Sequence, residues 1–116
     1  MNVLAADLVG LVAVLHAWFL VLEMFLWTTP LGRRAFGLDA EFAERSKGLA
    51  ANQGLYNGFL VAGLVWGLVA DREDVQLFFL GCVVVAGVYG AATVNRRILV
   101  VQAVPAALAI AAVLAA

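Results

Sequence analysis

The stretch "GLAANQGLYNGFLVAGLVWGLVADREDVQLFFLGCVVVAGVYGAATVNRR" (residues 48–97) decides the fold. It contains two apolar runs, at about 48–70 and 75–94, split by "DRED" (71–74) and closed by "NRR" (95–97). A helix that crosses a bilayer needs about 20 mostly apolar residues, and each run is near that length. Two more runs lie outward from this stretch, at about 3–27 and 98–115, and the polar segment "TTPLGRRAFGLDAEFAERSK" (28–47) follows the first. The expectation is an all-α fold, a four-helix transmembrane bundle occupying residues 1–116 as one domain. Its helices would cover about 3–27, 40–70, 75–94 and 98–115.

Composition points the same way. The chain has 116 residues, 66% of them hydrophobic and 13% charged, and a mean hydropathy of +1.03. Soluble domains carry about 25% charged residues. A soluble chain this short could not hide so much apolar surface, because small domains leave a large fraction exposed. The net charge is −1 and no basic stripe interleaves with aromatics, so nucleic acid is not an expected partner. Membrane lipid is. The single cysteine, Cys82, allows no intrachain disulfide and no cysteine-based metal site. No Lys or Arg precedes Arg33, and the first run is longer than a signal-peptide core. It therefore reads as a permanent helix.

Charge sets the orientation. With four spans, segments 28–47 and 95–97 share a face. They hold Arg33, Arg34, Arg45, Lys47, Arg96 and Arg97, whereas the opposite face holds Arg72. Cytoplasmic loops are the ones enriched in Lys and Arg. Both termini are expected outside, in a multi-pass protein of the plasma (inner) membrane. Pro30, after two threonines, is expected to stop the first helix. Asp39 can cap a second helix starting near residue 40, with Glu41 and Glu44 in its early turns and Glu41 paired to Arg45.

Within the spans, the polar side chains share one depth. At about 1.5 Å per residue, His16 falls near the midplane and Glu23 about 10 Å nearer the cytoplasm. Asn52, Gln53, Tyr56 and Asn57 on the second span, Tyr89 and Thr93 on the third and Gln102 on the fourth fall in the same cytoplasmic half. The outer half reads as almost purely apolar. Helical phase puts Trp27 on the line of His16 and Glu23, and spreads the second span's four polar residues over an arc of about 140°. Polar groups in lipid need partners, so these faces are expected to meet in one pocket. Small-residue ridges at Gly54, Gly58 and Ala62, at Gly63 and Gly67, and at Ala86, Gly87, Gly90 and Ala91 would let the helices approach closely. Pro105 should bend the fourth helix, next to Gln102.

An intramembrane carboxylate is costly and marks a functional site by default, so Glu23 is the first candidate for acid/base chemistry, with His16 and Tyr56 beside it. Asn52, Gln53, Asn57, Tyr89 and Gln102 are the candidate ligand-binding groups, by the rule that convergent polar groups in an apolar cleft mark a site. The same carboxamides also serve as glue between helices. One His, one Glu and a distant Cys do not make a zinc site, and a lone His cannot hold a bis-histidine haem. No metal or cofactor is expected.

The stretches "LEMFLWTTPLGRRAFGL", "LAANQGLYNGFL" and "VAGVYGAATVNRRILVVQAVPA" resemble a bacterial family of small integral membrane proteins, domain of unknown function 1304. The resemblance covers Glu23, Trp27, Asn52, Gln53, Tyr56, Asn57, Tyr89 and Gln102. It implies a four-helix protein of the plasma membrane and assigns no catalytic residue. Two uses compete. In the first, a cytoplasm-facing pocket around Glu23 binds or converts an amphipathic or lipid-like small molecule. In the second, the chain is a small proton- or solute-coupled transporter or channel acting as a homo-oligomer. A purely structural role is the third.

Overall fold

The computed structural model describes residues 2–116 and is all α. Among these residues the elements are α1 (Val3–Met24), α2 (Pro30–Phe36), α3 (Ala40–Val69), α4 (Glu73–Thr93), a π-helical turn (Leu99–Ala103) and α5 (Val104–Ala115). Two helices, α1 and α4, are long and apolar enough to cross a membrane. The 30-residue α3 is longer than either, but Asn52, Gln53 and Asn57 make it less apolar.

The first helix stops at Met24, earlier than the expected 27, and Pro30 is not what stops it. The Thr-Thr-Pro sequence opens a helix instead. Thr29 is the N-cap of α2: its hydroxyl accepts from Gly32 N at 3.2 Å, and Pro30 occupies the first turn. An N-cap hydroxyl satisfies an orphan N–H, and proline's missing N–H costs nothing at that position. α2 ends at Gly37, whose φ of 67° is left-handed, as a glycine terminus allows. Asp39 then caps α3, with Oδ1 accepting from Phe42 N at 2.7 Å. The Glu41–Arg45 pair forms at 3.9 Å.

The chain divides into two compact units. One is Leu15–Phe59, and the other combines the chain before and after it. In the latter, four helical segments share one core: Ala5, Val9 and Val12 of α1, Leu64 of α3, Leu80 and Val83 of α4, and Ala106, Ala109 and Val113 of α5. Their spacing alternates between three and four residues, so each helix offers one stripe. Glycines permit the approach. A Cβ on Gly87 would lie 2.8 Å from Ala103 N, and one on Gly90 would lie 3.0 Å from Ile98 Cγ2.

The α3–α4 connection is a Schellman turn. Arg72 N donates to Gly67 O at 2.9 Å and Asp71 N to Leu68 O at 3.3 Å, with Asp71 at φ 50°. Pro105 acts one turn upstream of itself. It lacks the N–H that an α-helix would use, and the backbone before it widens into the π turn, with Val104 N bonded to Leu99 O. The expected bend thus takes the form of a π insertion, and Gln102 sits within it.

The unit Leu15–Phe59 holds the end of α1, all of α2 and the first two-thirds of α3. Trp27 does not lie on the His16–Glu23 line, because the helix has ended before it. Instead its Nε1 donates to Ser46 Oγ at 3.0 Å, and its ring packs 4.8 Å from Phe36. It ties the connecting segment to α3.

Candidate functional site

Ala5, Val9, Val12, His16 and Glu23 form one buried stripe of α1, flanked by the buried Ala13 and Leu22. His16 and Glu23 fall on it because seven residues are close to two helical turns. His16 is fully buried, and its ring meets Phe19 edge-on at 5.1 Å. Glu23 is 9% exposed.

α3 buries a stripe of its own. Ala43, Ala50, Asn57 and Leu64 recur at intervals of seven, and Gly54 lies between two of them. Gly54 is the contact point with α1. A Cβ there would lie 3.2 Å from Glu23 Cβ and 3.3 Å from Leu20 O. That closeness lets a short carboxamide reach a carboxyl group across two helices. Asn57 Nδ2 donates to Glu23 Oε1 at 2.5 Å, with Asn57 only 4% exposed. Among the described residues no cation pairs with Glu23. The carboxyl is therefore held by a neutral donor, which leaves it able to gain or lose a proton without breaking an ion pair.

The structure separates the other candidates on α3 from this pair. Gln53, Tyr56 and Asn52 lie about 40°, 100° and 140° round the helix from Asn57. All three are exposed, and Tyr56 is 55% so. A polar arc that wide cannot turn wholly toward one neighbour, and only its Asn57 edge does. In the other unit, Tyr89 is 71% exposed and borders an open apolar groove with Phe78, Cys82 and Val85. Thr93 Oγ1 donates to the Tyr89 carbonyl at 2.7 Å. Gln102 is half-buried in the π turn, its Cβ 3.1 Å from where a Gly87 Cβ would stand.

A family model described as a protein of unknown function, DUF1304, matches residues 10–114. The chain belongs to the DUF1304 family. It is similar to the uncharacterized protein YpaA of Lactococcus lactis subsp. lactis (strain IL1403). The two are 34% identical over 107 residues, which cover 88% of this chain and 89% of YpaA. No solved structure matches the chain.

One buried polar residue of this DUF1304 chain escaped the sequence. Gln76 is fully buried, its Nε2 donates to Gly67 O at 2.9 Å, and its Oε1 has no hydrogen-bond partner. It stands at the start of the 75–94 run, at the end expected to be outermost and almost purely apolar. The signal was there: Gln76, Leu80, Val83 and Gly87 form one stripe at 4-3-4 spacing. Gly67 is the glycine that accommodates it, since a Cβ there would lie 2.7 Å from Gln76 Cγ.

Proposed function

We propose that this chain is a small multi-pass protein of the plasma membrane, a four-helix transmembrane bundle with both termini outside. Its Glu23–Asn57 pair would bind, or act as acid or base on, an amphipathic or lipid-like molecule taken from the cytoplasmic side. The observation that carries this is a buried carboxyl group bonded to a carboxamide with no cation beside it. Structural carboxylates in apolar surroundings are normally paired with a charge, and an unpaired one is retained for what it does. In this role Glu23 accepts or delivers the proton, and Asn57 holds the carboxyl in one rotamer. His16, on the same stripe, is the second titratable group.

Four features support the bilayer location. α1 and α4 have the length and composition to cross it. Leu99–Ala115 is apolar throughout, though shorter. α3 is long enough, with no carboxamide after Asn57. Lys and Arg concentrate on two of the three connections.

The test compares wild type with Glu23→Gln, both extracted from native membranes and both checked for helical content. Mass spectrometry of retained lipids and metabolites should find a species on wild type that Glu23→Gln has lost. Identical retention, or none on either, overturns the binding role. Glu23-dependent flux of protons or cations into liposomes would favour transport.

A further inference from the structure

Asn52, Gln53 and Tyr56 stand out among the polar side chains of α3 by what they lack. None of the three side chains hydrogen-bonds any described residue, and all three are exposed. In water this would need no comment. α3, however, starts at Ala40 and carries its charges, Glu41, Glu44, Arg45 and Lys47, in its first two turns. Asn52 lies about 7 Å beyond Lys47 along the axis and Tyr56 about 13 Å. In the bilayer location proposed above, on which this inference rests, both are below the headgroups. A carboxamide facing hydrocarbon without a partner costs several kcal/mol, and acyl chains offer neither donor nor acceptor.

The neighbours of Asn52 describe a surface. Leu49 (78% exposed), Asn52, Tyr56 (55%) and Phe59 (55%) follow one another at 3-4-3 spacing along one edge of α3. That is the spacing of a helix–helix seam. The aromatic pair is already ordered, with the Tyr56 and Phe59 rings edge-to-face at 5.7 Å. The stripe thus has aliphatic and aromatic side chains on either side of one carboxamide.

We infer that this stripe is a two-fold homodimer seam in which the Asn52 carboxamides of two copies hydrogen-bond each other. Self-complementarity selects the occupant. A carboxamide is both donor and acceptor, so two of them across a two-fold axis satisfy each other, and membrane topology already holds two copies parallel. A lone carboxamide among aliphatic and aromatic side chains also fixes register, because any slip leaves it unpaired.

The experiment uses the full chain with Cys82→Ala, reconstituted in phosphatidylcholine vesicles. Phe59→Cys on this background should cross-link between copies under mild oxidation, and Val85→Cys, exposed on α4, should not. Adding Asn52→Leu should raise the dimer dissociation constant, read by energy transfer between labelled copies, about threefold to tenfold, in line with interhelical hydrogen bonds in membranes. Asn52→Gln should keep most of the association, which separates a polar contact from a folding defect. A chain that is monomeric at every protein-to-lipid ratio, or a dimer indifferent to Asn52→Leu, overturns the seam but not the bilayer location. So does a monomer that retains a lipid through Asn52. Recovery of the wild-type chain in the soluble fraction overturns the bilayer location, and the seam with it.

Discussion

Glu23 has been taken out of water and given one side-chain donor, Asn57 Nδ2. The energetics of such a pair are asymmetric. Removing the donor leaves a buried acceptor unsatisfied, whereas replacing both partners by apolar groups removes the problem. Asn57→Leu should therefore lower stability by about 1–3 kcal/mol. Glu23→Gln, which can still accept from Asn57, should cost less than about 1 kcal/mol. The double variant Glu23→Leu/Asn57→Leu should recover most of what Asn57→Leu lost. Unfolding titrations in mixed micelles with increasing denaturing detergent measure all three. Losses that simply add in the double variant would show that the two side chains do not act as a pair. Glu23 stood out in the sequence because a carboxylate among aliphatic residues is conspicuous. Its partner did not, since four polar side chains within six residues compete and only helical phase chooses among them.

α3 does the positioning, and its glycines are not equivalent. Gly54 meets Glu23, Met24 and Leu20 of α1, whereas a Cβ on Gly48 would meet nothing within 4 Å. Gly48→Ala should therefore stabilise the helix by up to about 1 kcal/mol, the propensity difference alone. Gly54→Val should destabilise by more than that, because even its Cβ would stand 2.5 Å from Met24 Cγ and 3.3 Å from the Leu20 carbonyl oxygen. Thermal midpoints in detergent, taken side by side, decide it; equal effects at both sites would deny the close approach of α1 and α3. The start of α3 was legible from Asp39, because a side chain that caps its own neighbours acts locally. The end of α1 was not. Thr-Thr-Pro can halt a helix or start one with the same chemistry, and only the Thr29–Gly32 bond tells which.

At the scale of the whole molecule, the proposed arrangement in the bilayer makes a directional prediction. In a Cys82→Ala background, Lys47→Cys should react with a membrane-impermeant maleimide from the cytoplasmic side alone, and Glu73→Cys from the outer side alone. Labelling of inverted against right-side-out vesicles reads this directly. Reaction of both from one side would mean that α3 does not span. The bias of Lys and Arg toward the segments 28–47 and 95–97 sets the expected sign.

The all-α class and the apolar character of the long helices follow from the sequence by itself, whereas the short α2, Pro30–Phe36, did not. Propensity, caps and hydropathy act within a few residues, so they are written locally. Tertiary structure decided which polar groups meet. A rotation of about 100° per residue divides neighbours such as Tyr56 and Asn57 between an exposed and a buried face. The choice depends on where Gly54 lets another helix come close. The same rotation put Gln76 inside and left Asn52 outside, though nothing in either side chain's chemistry distinguishes their fates.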